Sequence, residues 1–267
     1  MTAGTRVVVE GRALHSGETS RVTLHARPGP VTVCAGGVEA PLARWCALPA
    51  ERSTWLALDG RAPRVRLVEH LLAALGGTGL HAGVGIEVCG TELPLLDGAA
   101  RAWTRALATL AIPEAATLRT ITRAATVDVG ASRYAFRPAA RASVAVHIEF
   151  DDARVAPSAR WDGDVDDFVR RVAPARTFCF ARELDELARN GLAAFATPEA
   201  VMVIGETILA VGEPYAEDEP ARHKLLDLIG DLYLYGGPPR GEVRAHRPGH
   251  SVTHTAMRIA LDQGIIA

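Results

Sequence analysis

RHKLLDLIGDLYLYGG, residues 222–237, reads as a leucine-rich helix whose polar residues keep a helical period. Leu225, Leu226, Leu228, Ile229 and Leu232 supply the apolar surface of a buried helix. His223, Asp227 and Asp231 recur every four residues and therefore share nearly one face. A shorter counterpart, VEHLLAALGG, stands at 68–77, again an acid and a histidine, an apolar run and a glycine pair. Around both copies the order is the same: strands, the helix, Gly-Gly, then a strand. This pattern predicts a duplicated α+β chain, two similar domains that are each a sheet with helices on one face. The two helical layers are expected to face one another around a cleft that receives polar groups from both.

Working outward, strands are expected at 7–10, 21–26 and 31–37, where β-branched residues alternate with turn signals. A helix is expected over 65–75, stopped by Gly76 and Gly77, followed by a strand at 82–90. Asp97 can cap a helix running through 98–110. Pro113 and the Ala-Thr stretch after it mark a boundary near 112–118, dividing the chain into domains 1–115 and 116–267. In the second half, strands fit 120–130 and 140–150, and a short helix at 164–172 ends at Pro174. A helix at 181–190 has Gly191 just past its end, and 199–209 is a strand pair or one bent strand. A strand at 241–247 and a helix from 252 follow the central helix.

The 267 residues are 48% hydrophobic, which argues against disorder, and 29 basic residues balance 31 acidic ones. That balance gives no footprint for nucleic acid or an anionic membrane. No apolar run approaches the roughly 20 residues that span a bilayer. MTAGTRVVVE lacks a signal-peptide h-region, and Cys34, Cys46, Cys89 and Cys179 form no CxxC pair, so a cytoplasmic protein with reduced thiols is expected. Lys224 is the only lysine, beside His223.

His223 and Asp227, at i and i+4, have the spacing of two ligands to one metal, although a solvated helix face explains the same pair. The leucines around them favour burial, and a buried carboxylate needs a partner. Glu69 and His70 point about 100° apart on a helix, so they do not readily bind one ion, yet both can line one pocket. A histidine ligand beside a glutamate base suits a zinc hydrolase. His70, His223 and Asp227 together make a two-histidine, one-carboxylate set with a position open to water, a catalytic rather than structural arrangement that also suits ferrous iron. His250, in RPGHSVTH, is expected on a loop as a proton donor to a leaving amine, with Asp231 orienting it and keeping it charged. In ARTFCF, 175–180, Phe178 and Phe180 share one face of a strand and Thr177 the other, with core packing the plain alternative for the aromatics. LHSG at 14–17 and ELPLLDGAA at 92–100 have no chemistry that can be derived from them alone.

Six stretches occur together and in order: ALHSG, LVEHLLAALGGTGL, ELPLLDGAA, ARTFCF, ARHKLLDLIGDLYL and RPGHSVTH. With them the chain resembles the zinc-dependent UDP-3-O-acyl-N-acetylglucosamine deacetylases of lipid A biosynthesis, from about residue 10 to 260. The resemblance implies two similar α+β domains with the active site between their helical layers. It implies zinc on His70, His223 and Asp227, Glu69 as general base, His250 as general acid assisted by Asp231, and Thr177 at the oxyanion. It places Lys224 and Phe178 against a UDP-linked acylated amino sugar, with Phe180 lining the same region, in a protein expected to be a monomer. Phe195 and Ala196 stand where the family usually has Gly-Gly, with Pro198 and Glu199 following, and are expected to alter the acyl-chain passage. Two other functions remain open at this point: deacetylation of a different N-acetylated nucleotide sugar, and sugar-nucleotide binding without catalysis.

Overall fold

The computed structural model describes residues 5–48, 52–112, 118–192 and 194–267. The first half begins with four strands, β1 (Arg6–Arg12), β2 (Thr19–Pro30), β3 (Thr32–Ala35) and β4 (Val38–Pro41). A three-stranded sheet follows, β5 (Trp45–Leu48), β6 (Trp55–Leu58) and β7 (Arg61–Arg66). Then come helix α1 (Glu69–Gly77), strand β8 (Ala82–Cys89) and helix α2 (Arg101–Leu107). The second half repeats the plan with β9 (Ala125–Val129), β10 (Ser132–Arg137), β11 (Ala142–His147) and β12 (Ser158–Trp161). Its insertion is longer: α3 (Val165–Asp167) running into a π-turn at Phe168–Val172, β13 (Thr177–Phe180), α4 (Leu184–Arg189), β14 (Val201–Ile204) and β15 (Ile208–Leu209). Helix α5 (Glu219–Tyr233), strand β16 (Gly241–His246) and helix α6 (His250–Asp262) complete it.

The duplication is visible strand by strand. The large sheets have orders β1-β2-β8-β3-β4 and β9-β10-β16-β11-β12. In each, the strand after the main helix enters the sheet parallel to the third strand, as β8 to β3 and β16 to β11, and the other pairings are antiparallel. One face of each sheet is buried. Along β10, Tyr134 and Phe136 point inward while Arg133 and Arg137 are exposed, the period-2 pattern of a sheet packed on one side. Helices α1 and α2 pack together at the first sheet, α5 and α6 at the second, and α1 lies against α5. The result is a sheet–helix–helix–sheet stack with one apolar core running through both halves.

Glycines set the spacing of the central helices. A Cβ at Gly230 would lie 2.1 Å from the carbonyl oxygen of Glu69, so α5 approaches the α1 backbone directly. A Cβ at Gly77 would lie 2.3 Å from the Phe168 ring. Gly76 and Gly77 thus belong to the last turn of α1 and serve close packing; the helix ends two residues later than the expected 75, with Thr78 as its C-cap. Its start is also later than expected, because Val65 and Arg66 pair with Leu56 and Trp55 in the small sheet and Leu67 turns the chain at a φ of 62°. Asp97 does not cap α2, which begins four residues on; its carboxylate accepts from Ala99 N at 3.3 Å instead. The expected boundary at 115/116 lies outside the described residues.

Candidate active site

Three of the sequence-selected side chains converge where α1 meets α5. His223 and Asp227, one turn apart on α5, have Nε2 and Oδ1 3.4 Å apart, and His70 Nε2 from α1 lies 3.8 Å from the same Oδ1. All three are buried and offer one donor atom each within 4.8 Å of one another. His223 donates from Nδ1 to the Ala175 carbonyl at 3.0 Å, which leaves Nε2 as the unprotonated nitrogen facing its neighbours. Burial, then the neighbouring His223, pushes the His70 imidazole down to about 3, and burial also lowers His223. Burial works against the Asp227 carboxylate, but His223 and Lys224 outweigh it and hold the group well below the usual carboxylate range. Two neutral imidazoles and an ionised carboxylate are a donor set that fits a divalent cation. Asp227 Oδ2 is engaged by Lys224 Nζ at 2.7 Å, so the chain's one lysine steadies a carboxylate of this cluster and also lines the cavity.

Glu69, the first residue of α1, is 2% exposed. Thr54 N–H donates to its Oε2 at 3.0 Å, and its Oε1 faces His250 Nε2 at 3.9 Å. Burial is the main cause that raises the Glu69 carboxyl to about 7. His250 is not on a loop: it opens α6, directly after the extended Gly249, so the helix begins two residues earlier than the expected 252. Its Nδ1 donates to Asp231 Oδ2 at 2.9 Å. Burial disfavours the His250 cation, yet Asp231 outweighs that cost and raises it to about 9.

Above these groups opens a cavity of about 570 Å³, reached by His70, Glu69, His223, Lys224, Asp227, His250 and the whole of Thr177–Phe180. Thr177 reaches it too, rather than only the opposite strand face. The Phe178 ring stands edge-on to His223 at 6.3 Å, and Phe150, which sequence reasoning did not single out, packs on Phe178 and Phe180 at 5.6 and 5.0 Å. One end of the cavity is apolar, walled by Leu14, Leu67, Leu95, Leu187, Leu192 and Val201. Phe195 turns its ring onto Gly17 and under the Arg12 guanidinium, 4.6 Å away, while Ala194, Ala196 and Pro198 line the cavity.

The two motifs without evident chemistry prove to be scaffolding. Glu92 accepts from His15 N at 2.9 Å and Ser16 N at 3.1 Å, sits 2.7 Å from His15 Nδ1, and pairs with Arg66 at 2.9 Å, fixing the LHSG turn at the cavity edge. Gly98 accepts from Thr177 N at 2.7 Å, and a Cβ there would lie 1.7 Å from the Ala200 carbonyl oxygen. That glycine lets the second half's small sheet dock on the first half. Thr54 and Arg176 were also unread; only their distant partners reveal them. A second set of metal-capable donors, His147, Glu149 and His246, is solvent-facing, and there His246 Nε2 already contacts Glu149 Oε1 at 2.7 Å.

A duplicated α+β fold that buries a metal-competent cluster beneath a part-apolar cavity defines a class of metalloenzymes. The family model for UDP-3-O-acyl N-acetylglycosamine deacetylase (LpxC) matches residues 1–261, and the chain belongs to that family. Similar proteins named UDP-3-O-acyl-N-acetylglucosamine deacetylase occur in Myxococcus xanthus, 34% identical over 94% of this chain and 82% of the relative. Others are found in Shewanella sediminis, 33% identical over 96% and 88%, and Pseudomonas entomophila, 33% identical over 93% and 85%. Among the described residues no helix is long and apolar enough to cross a membrane.

Proposed function

We propose that this chain removes the acetyl group from a UDP-3-O-acyl-N-acetylglucosamine by zinc-dependent hydrolysis, a step of lipid A biosynthesis, acting as a cytoplasmic monomer. The observation that carries the reading is the convergence, under one cavity, of the His70–His223–Asp227 cluster with Glu69 and His250 facing each other at 3.9 Å. His70, His223 and Asp227 would hold the ion, zinc or ferrous iron. When bound, it supplies Lewis-acid chemistry, polarising the amide carbonyl and acidifying water.

The chain's own groups move the protons. Glu69 takes a proton from the attacking water at Oε1, the oxygen not tied to Thr54. The Thr177 hydroxyl donates to the carbonyl oxygen as it gains negative charge. His250, kept cationic by Asp231, protonates the nitrogen as the C–N bond breaks, giving acetate and the free amine. Lys224 and Phe178 contact the UDP-sugar, with Phe180 lining the same wall. The apolar end of the cavity supports an acylated sugar as substrate in preference to an unacylated one. In this reading residues 1–115 form one domain, carrying Glu69 and His70, and 116–267 the other, carrying Thr177, His223, Asp227 and His250.

The test is acetate release from UDP-sugars with and without a 3-O-hydroxyacyl chain, alongside metal analysis. The expected result is turnover of the acylated sugar, close to one ion per chain, and a loss of roughly a hundredfold or more in Glu69→Gln. Equal turnover of both sugars would reassign the substrate, and an undiminished Glu69→Gln would remove the base.

A further inference from the structure

We propose that Thr54 is a positioning residue that sets both proton-carrying groups of the site, Glu69 through its backbone and His250 through its hydroxyl. This rests on the deacetylase reading above. Thr54 lies just before β6, is 1% exposed, and does not line the cavity. Its N–H donates to Glu69 Oε2 at 3.0 Å, which commits that oxygen and leaves Oε1 toward His250. Its hydroxyl donates to Asp231 Oδ1 at 2.6 Å and lies 3.1 Å from His250 Nδ1, which in turn sits 2.9 Å from Asp231 Oδ2 and 3.1 Å from Oδ1. Thr54 thus holds one oxygen, Oδ1, while the His250 imidazole bridges both, and rotating the carboxylate would break the Thr54 bond. His254 Nε2 completes the surroundings at 3.3 Å from Thr54 Oγ1 and 3.4 Å from Asp231 Oδ1, and the Tyr235 hydroxyl lies 3.2 Å from His254 Nδ1.

The consequence is geometric coupling across the cleft. The acid's orienting carboxylate and the base stand on different helices from different halves, and one residue just ahead of β6 touches both. The backbone around Thr54 is fixed as well: its carbonyl accepts from Leu67 N at 3.1 Å, and Ser53 Oγ accepts from Trp55 Nε1 at 3.1 Å. A hydroxyl placed this way does for Asp231 what outer-shell partners do for ligands elsewhere, where loss of one costs about tenfold to a hundredfold.

Thr54→Val keeps the shape and the N–H and deletes only the hydroxyl; Thr54→Ser restores it. In the metal-loaded full chain, Thr54→Val is expected to lower kcat about tenfold to a hundredfold. KM should stay within about twofold, with the metal content unchanged. Thr54→Ser should recover most of the rate. Imidazole NMR reads the device without turnover: the His250 Nδ1 proton held by Asp231 should be slow to exchange in the parent and broaden in Thr54→Val. An unchanged proton signal, a Thr54→Val rate matching the parent, or a Thr54→Ser as slow as Thr54→Val overturns the proposal. If the parent itself releases no acetate, the deacetylase reading fails, and the NMR comparison still decides whether Thr54 orients His250.

Discussion

Glu69 and His70 are neighbours in sequence, yet in the proposed mechanism the 100° between successive helical side chains lets one carry protons while the other faces the proposed cation site. The pH profile follows from which state each group must hold. Glu69 must be ionised to accept a proton, so the rate rises as pH passes its pKa; His250 must be protonated, so the rate falls as pH passes its own. Without a cation these groups are raised to about 7, chiefly by burial of Glu69, and to about 9, where Asp231 outweighs the burial of His250. A bound divalent cation nearby favours the carboxylate and disfavours the imidazolium, so it moves both limbs to lower pH. The expected kcat/KM profile is a bell with its rising limb below 7 and its falling limb below 9. His250→Gln should lose the falling limb and Glu69→Gln the rising one. A rate still climbing in the parent enzyme at about pH 10 would take the acid role from His250.

At the scale of elements, the site exists because α1 and α5 cross without side chains between them at Gly230. A Cβ there would meet the Glu69 carbonyl oxygen at 2.1 Å and the Ala73 nitrogen at 3.1 Å, both backbone atoms that cannot step aside. Gly230→Ala is therefore expected to destabilise the fold by about 1–3 kcal/mol, the usual scale of overpacking, and to weaken metal binding by separating His70 from His223 and Asp227. Calorimetry and a metal titration check both; a variant with unchanged affinity would show that the cluster does not depend on this crossing. Helix α5 was legible because local sequence carries it: His223, Asp227 and Asp231 share a face by spacing alone. The start of α1 was not, since Val65 and Arg66 satisfy helical and strand patterns equally until β6 is there to pair with them. The small first sheet went unread for the same reason, its strands being short and completed by one another. Thr54 was beyond reach, because its meaning lies in Asp231, 177 residues away. Arg176 is similar: inside ARTFCF it reads as one more arginine, yet it is buried against Glu219 with contacts at 2.8 and 3.0 Å that pin β13 to α5. Arg176→Ala leaves that buried carboxylate without its cationic partner, with only the backbone N–H of residue 176 still donating to it at 3.1 Å, and a loss of about 3–5 kcal/mol is expected from chemical denaturation. A loss below about 1 kcal/mol, the range of exposed pairs, would mean that water reaches Glu219.

For the whole molecule the duplication raises the question of whether two copies of one plan unfold as two units. The apolar core answers against it: Leu71, Leu72 and Leu75 of α1 belong to the same buried cluster as Leu225, Leu226 and Ile229 of α5. All nine residues of α1 are buried, so separating the halves would open that helix to water along its length. Polar links cross the same plane, from Ala100 N to the Ala173 carbonyl at 2.9 Å, Thr177 N to Gly98, and Thr54 to Asp231. One calorimetric transition is expected, with equal calorimetric and van't Hoff enthalpies, despite the repeated topology. A cation held by the proposed ligands would add a further tie, because His70 comes from one half and His223 with Asp227 from the other. Free metal at about a hundred times its dissociation constant should add about 2.7 kcal/mol to stability, which for a chain of this size raises Tm by about 5–10 °C. Chelation should reverse the rise, and Asp227→Ala should abolish it while keeping a single transition. Two resolved transitions in the metal-free chain would establish that each half holds its own core, and the cluster would then be a clasp between independent domains instead of part of one cooperative structure.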